Sequence, residues 1–468
     1  MTIGLLDHMG YGNLGDAAIQ EAVIANIRKR IPNVRIVAFS LVPADTVARH
    51  GIDCYPINWS CQTLAATRKQ AGPMSFRSRL KSTLKANPFV HRWAKPVADL
   101  VREAAFCLRS YRILRGLDVL IVSGGGQLSE LWNGPWSHPY TIFKFSLLAK
   151  LARRKLFFLN VGAGPLLHPL SKFFTRCALR LADYRSFRDD DSRQLLRSLG
   201  VRARMHVCPD PAYGLDVSHL RNAARGTPMP IVGLNPFGFC DPRIWPRKDN
   251  SLYQDYVEKI AAFAMWLIDQ GYTLRVFTTE ISVDCHAIED LRTRIYSKFS
   301  PELVSQIFPD ASTSVADVLQ QMSSFDLIVT SKFHGLIFSH LLAKPVISLS
   351  YQRKMDVAMH AVGQSRFNSD VEHFDTEWLI QAFRSLVDES SNIKLTYATS
   401  VEAFAAALSR QFDGLFGPAE SLVRVNSSLA LLHARSKIRS ADDSNPASSS
   451  QIPPLKRTFP HSGPSRPA

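Results

Sequence analysis

Short apolar runs recur along this chain at intervals long enough for a crossover helix, and this recurrence limits its fold more than any other feature. One series comprises residues 2–7, 34–39, 119–123, 156–161 and 184–187, and a second comprises 231–235, 274–278, 326–330 and 346–349. Strands this uniformly hydrophobic belong in a parallel sheet covered on both faces, and parallel strands require helical connections. The intervening segments comply, as at 17–30 and 252–270, where apolar residues fall at helical spacing. The pattern predicts an α/β fold, with two Rossmann-like domains facing a cleft. Residues 225–230, which contain Gly and Pro, interrupt both patterns and mark the hinge. The N-terminal domain is therefore expected over 1–225 and the C-terminal domain over 226–420, a division that a length of 468 residues accommodates.

Two segments stand outside this alternation. Residues 68–115 carry twelve Lys and Arg against two Asp and Glu, most of the chain's net charge of +16, interleaved with Phe76, Leu80, Leu84, Phe89, Trp93, Val97 and Leu100. Such an insert either lies on an anionic bilayer as a basic amphipathic segment or forms a solvated cover over the first sheet. Residues 436–468, rich in Ser and Pro and poor in apolar side chains, are expected to be disordered. The seven Cys stand singly with no Cys-x-x-Cys pair, which points to reduced, mostly buried thiols and not to a disulfide framework or a zinc site. No basic leader precedes the first strand and no run of about 18 apolar residues occurs, so the protein is expected in the cytoplasm, free or peripheral at the inner face of the membrane.

Three glycine-rich turns follow strands of the first series: Gly10-Tyr11-Gly12-Asn13-Leu14-Gly15-Asp16, Ser123-Gly124-Gly125-Gly126-Gln127 and Gly162-Ala163-Gly164-Pro165. The first opens a helix, where unpaired backbone N–H groups attract anionic or polar ligands, and Asp16 suits the helix N-cap. It is not a dinucleotide fingerprint. Together the turns line one edge of a parallel sheet, where open α/β sheets bind ligands. Arg188 ends the strand 184–187 as a fixed cation for a carboxylate or phosphate, or as half of an ion pair with Asp189 or Asp191. The run Asp189-Asp190-Asp191-Ser192 reads as helix-start capping in preference to a metal site. In the second series, Thr330-Ser331-Lys332-Phe333-His334-Gly335 follows a strand, so His334 can present its imidazole to the cleft for proton transfer. His340 reads as structural. Lys354, beyond the strand 346–349, either adds a cation at the same edge or is a solvated lysine.

These motifs, with Cys208-Pro209-Asp210-Pro211 and Ser350-Tyr351-Gln352-Arg353-Lys354, resemble the polysaccharide pyruvyl transferase family in order and spacing over roughly residues 3–365. The resemblance implies a fold similar to GT-B glycosyltransferases. It also implies transfer of the enolpyruvyl carbons of phosphoenolpyruvate onto a sugar diol, giving a pyruvate ketal in exopolysaccharide or cell-surface glycan biosynthesis. The family's donor-contacting Arg, active-site His and downstream Lys fall by motif position on Arg188, His334 and Lys354. One departure is Lys332, where the family usually carries Arg two residues before the His; the charge stays and the planar fork is lost.

A donor with a carboxylate beside a phosphate calls for two or three cations, which Arg188, Lys354 and Lys332 would supply. Protonating its methylene carbon calls for an acid/base group, for which His334 is the candidate. Asp16 or Asp210 is expected to orient acceptor hydroxyls, with Asn13 and Gly124, Gly125 and Gly126 shaping the acceptor loops. No cofactor and no metal are expected. The expected partners are phosphoenolpyruvate, a saccharide acceptor, lipid-linked if the basic insert docks on a bilayer, and no nucleic acid. Two other readings stand beside this one: a GT-B glycosyltransferase using a nucleotide-sugar, and a non-catalytic scaffold of a polysaccharide assembly complex.

Overall fold

The computed structural model describes residues 1–7, 10, 12–59, 88–131, 133–221 and 230–418, with the side chains of 88–96 left out. The expected tail at 436–468, residues 225–229 of the expected hinge at 225–230 and the first part of the basic insert, 68–87, lie outside the described residues. Strands β1 (Thr2–Leu6), β2 (Arg35–Ser40), β3 (Asp53–Pro56), β4 (Val119–Ser123), β5 (Lys155–Val161), β6 (Tyr184–Phe187) and β7 (His206–Val207) form a parallel sheet in the order β3-β2-β1-β4-β5-β6-β7. A second parallel sheet contains β8 (Ile231–Asn235), β9 (Thr273–Val276), β10 (Leu327–Thr330), β11 (Val346–Ser350) and β12 (Asn368–Asp370), in the order β12-β11-β10-β8-β9. In each sheet the strand order reverses once, between β1 and β4 in the first and between β8 and β10 in the second. Such reversals leave a crevice beyond the carboxyl ends of the strands.

Every apolar run read from the sequence is one of these strands. The three strands that the runs do not reveal, β3, β7 and β12, are sheet edges of two to four residues with sequences DCYP, HV and NSD. An edge strand has one hydrogen-bonded neighbour and half-exposed faces, so nothing forces it to be apolar. The six cysteines among the described residues are free thiols, but only Cys208 and Cys240 are buried, fewer than expected.

The helix Ser390–Phe416 follows the second sheet in sequence, and its last turns pack on the N-terminal domain. Arg30 on the helix Leu14–Arg30 pairs with Asp413 at 2.8 Å, and Gln411 donates to Asn160 (2.7 Å) and to the Tyr184 hydroxyl (3.0 Å). A second tie joins the halves at the cleft. Asn13 and Glu280 form an antiparallel bridge, flanked by Leu14 N–H donating to the Thr279 carbonyl at 2.9 Å. Among the described residues no helix is long and apolar enough to cross a membrane.

Candidate active site

The turn after β1 supplies the first wall of the site. Asn13, and not Asp16, caps the helix Leu14–Arg30: its side-chain oxygen accepts the Asp16 N–H at 3.0 Å. The Asp16 carboxylate is thereby left to face the cleft, where burial, with Glu280 adding to it, pushes its pKa up to about 7 against the pull of Lys354 and Arg188. Glycine at 15 is required by close approach, because a Cβ there would collide with the imidazole of His334 from the other sheet.

The turn after β4 is pinned from below. Gly124 N–H donates to the Leu159 carbonyl and Gly162 N–H to the Gly125 carbonyl, both at 2.8 Å. Gly124 and Gly125 have φ of 43° and 63°, a conformation that costs glycine least. Only Gly126 reaches the cleft, beside Gln127, whose amide donates to the buried Asp7 carboxylate. Gly162 in turn makes room for Arg188: a Cβ there would lie 2.5–2.6 Å from the guanidinium atoms. The guanidinium stacks 4.7 Å above the Phe333 ring and is held loosely, 3.5 Å from Asp189 and 3.6 Å from Asp210. Its buried Nε has no hydrogen-bond partner. The aspartate run behaves as capping residues should: Asp189 accepts the Ser192 N–H at 2.6 Å, Asp190 pairs with Arg193 and Asp191 with Arg353.

The second wall begins where β10 ends. Thr330 accepts the Lys332 N–H at 3.0 Å, and the helix Phe333–Leu341 starts at once, which sets His334 on its first turn against Gly15. The His334 Nε2 is buried without a partner. Burial, followed by the charges of Lys354, Arg188 and Lys332, holds its pKa well below the usual imidazole range, so the ring is neutral near pH 7. Lys354, on the helix Arg353–Ala361 after β11, places Nζ 5.2 Å above Phe333 and 5.1 Å above Tyr351, and among the described residues no carboxylate pairs with it.

Lys332 differs. Its Nζ is buried between Glu280 (2.5 Å) and Asp284 (3.3 Å) and lies 4.4 Å over Phe237. Burial opposes its charge, but the two carboxylates outweigh that penalty and hold the ammonium ionised, while burial pushes Asp284 up to about 6. The expected third donor-gripping cation is therefore already matched by two acids of its own domain.

These groups enclose a cavity of about 180 Å³. Asn13, Asp16, Gly126, Arg188, Lys332, His334 and Lys354 line it together. Gly124 and Gly125 lie beneath it as the turn, and Asp210, expected at the acceptor, backs Arg188 instead. His340 stays away, fully buried with Nδ1 2.8 Å from the Tyr213 hydroxyl. Glu280 and Asp284 are absent from the reading of the sequence, as are Phe237 and Trp245, which form an aromatic wall with Tyr351, a residue read there only as part of a motif. Ring separations of 4.5–6.0 Å join the wall. A signal for Glu280 exists: it lies just beyond the run 274–278, at a carboxyl strand end as Arg188, Lys332 and His334 do.

A family model for polysaccharide pyruvyl transferases matches residues 13–353, both walls of the cavity up to the residue before Lys354. The chain belongs to the polysaccharide pyruvyl transferase family. Solved structures similar to this pyruvyl transferase family member show the fold. The S. aureus MnaA-UDP co-structure aligns at a TM-score of 0.52 with 10% identity, covering 91% of this chain and 100% of that one. A putative UDP-N-acetylglucosamine 2-epimerase from Listeria monocytogenes aligns at 0.52 with 10% identity, over 90% and 99% of the two chains. The UDP-GlcNAc 2-epimerase from Methanocaldococcus jannaschii aligns at 0.50 with 11% identity, over 82% and 92%. The family member thus shares the two-domain GT-B type of architecture. No curated protein sequence matches it.

Proposed function

We propose that the protein transfers the enolpyruvyl group of phosphoenolpyruvate to two hydroxyls of a sugar, forming a cyclic pyruvate ketal and releasing phosphate. The observation that carries this reading is the convergence of Arg188 and Lys354 on a small cavity that also holds His334. A cavity of about 180 Å³ is below the roughly 300–1,000 Å³ of pockets for drug-sized ligands, which favours a compact anion over a nucleotide-sugar. Arg188 suits the bidentate carboxylate or phosphate and Lys354 the remaining charge. Lys332 keeps a positioning role through its two acids. No metal is invoked, since side chains neutralise the leaving group.

The proton traffic follows from the electrostatics. Donor charge offsets the cations that depress His334, so donor binding raises its pKa and lets it carry a proton. Protonated His334 delivers that proton to the methylene carbon, and the first sugar hydroxyl adds to the carbon bearing the phosphate while Asp16 takes the hydroxyl proton. The C–O bond to phosphate then breaks, with Asp16 returning its proton to the leaving group. The second hydroxyl adds to the same carbon and its proton restores His334. Hydroxyl protons thus end on the new methyl group and on phosphate, and the residues are unchanged. The wall of Phe237, Trp245 and Tyr351, whose rings pack edge to face or tilted, supplies an apolar surface for the sugar.

The test is calorimetry with phosphoenolpyruvate and with UDP-sugars, coupled to phosphate release with sugar acceptors. Saturable phosphoenolpyruvate binding, weakened about 10–100-fold in Arg188→Ala and Lys354→Ala, is expected. Binding of a UDP-sugar alone would assign a glycosyl or epimerase chemistry instead.

A further inference from the structure

The large apolar side chains that face solvent are not scattered. Of the fifteen among the described residues, ten lie between residues 97 and 173: Val97, Leu100, Val101 and Leu108 on the helix Pro88–Leu114, and the rest on the turn and helices that follow β4 and β5. Two observations show that these elements share a surface. Glu103 on the first helix pairs with Lys144 at 2.9 Å and accepts from the Tyr140 hydroxyl at 3.0 Å, both on the helix His138–Leu151. Trp136 packs against Tyr140 and Phe174 at 5.5 and 5.6 Å, and Phe143 against Phe173 at 6.3 Å, which joins the helix Pro169–Leu181.

The helix Pro88–Leu114 has two apolar faces. Phe106, Ser110 and Leu114 turn to the core, while Val97, Leu100, Val101 and Leu108, at helical spacing, turn away from it; Leu100 is 70% exposed. A second stripe that buries nothing needs a partner to justify its cost in water. The charge around it names the kind of partner. Residues 97–180 contain twelve Lys and Arg against four Asp and Glu, and Arg102, Arg112 and Lys172 are exposed beside the apolar positions. Lys144 is buried against Glu103 and Lys150 pairs with Asp183, but exposed apolar side chains with exposed cations next to them in sequence match an anionic bilayer, whose acyl boundary takes the former and whose headgroups take the latter.

We propose that this face of the N-terminal domain, centred on Leu100, Trp136 and Phe173, docks on an anionic membrane surface. It borders the site, because Trp136 stands between Leu131 and His138, both of which line the cavity. A docked enzyme therefore holds its cavity mouth close to the headgroups, where a lipid-linked sugar would be presented. The inference rests on the surface alone and does not depend on the donor.

The experiment is flotation of the full chain with vesicles of equimolar phosphatidylcholine and phosphatidylglycerol, and with phosphatidylcholine alone. Association with the anionic vesicles, weakened by salt and at least about tenfold by Leu100→Glu with Trp136→Ala, and by Arg112→Glu with Lys172→Glu, is expected. Leu100, Arg112 and Lys172 are exposed and Trp136 is mostly so, and circular dichroism checks that each variant stays folded. No association of the wild type overturns the proposal. So does association that both double variants retain, or a concentration-dependent dimer abolished by the same apolar substitutions, which would make the face a contact between copies of the chain.

Discussion

Two lysines at neighbouring strand ends of the C-terminal sheet have opposite fates. Lys332 follows β10 and is buried against Glu280 and Asp284, while Lys354 follows β11, lies against the rings of Phe333 and Tyr351, and pairs with no carboxylate among the described residues. Both sit at the same cavity, and from sequence they carry the same charge. The difference is in what faces them. A lysine matched by two carboxylates brings no net attraction to an anion, whereas one flanked by rings, with Asp16 and Asp210 near but not paired to it, keeps more of its field for a ligand. Counting cations at a sheet edge therefore overstates how many can grip a donor.

The contrast breaks first at Lys332. Lys332→Ala leaves two acids buried without a cation, and a loss of about 3–5 kcal/mol of stability is expected in chemical denaturation. Adding Glu280→Gln and Asp284→Asn should restore most of it; a single variant as stable as wild type would mean that the ion pair does not form. Lys354→Ala should show the reverse profile, with near-normal stability and the loss of donor affinity described above. If Lys332→Arg weakened donor binding as much as Lys354→Ala, the assignment of roles would be wrong.

A sharper probe of the wall opposite is Gly15→Ala. The added methyl displaces the His334 ring at a cost of about 1–3 kcal/mol, and turnover should fall more than donor affinity, since neither Arg188 nor Lys354 moves. The smallest effect concerns Asp16. Its pKa of about 7 in the folded protein exceeds the ordinary 3.8, so the native state binds more protons than the unfolded state between those values, and stability falls as pH rises through that window. Asp16→Asn removes the penalty of ionising a crowded carboxylate. Relative to wild type it should gain about 1–2 kcal/mol at pH 8 and nothing at pH 4, read by thermal melts.

Much of this was legible before any coordinates. The central strands announce themselves as apolar runs because both of their faces are buried, and Arg188, His334 and Lys354 are visible because they follow those runs. The Asn13 cap was hidden by a competing acid three residues on, since either type suits the position. Asp210 looked like an acceptor group because nothing local reveals that Arg188 lies in front of it. Glu280, Phe237 and Trp245 were hidden for another reason: their meaning comes from partners in distant parts of the chain, and pairing across a fold leaves no local period in the sequence.

The returning helix Ser390–Phe416 bears on how the chain is made. Arg30, with only 1% of its side chain exposed, waits for Asp413, 383 residues later. While the N-terminal domain emerges from the ribosome, that guanidinium has no partner from the helix, and the domain is complete only once residues 390–416 have been made. Splitting the polypeptide between its two sheets should therefore yield an unfinished first half, one that regains its native surface when the second half is supplied in trans.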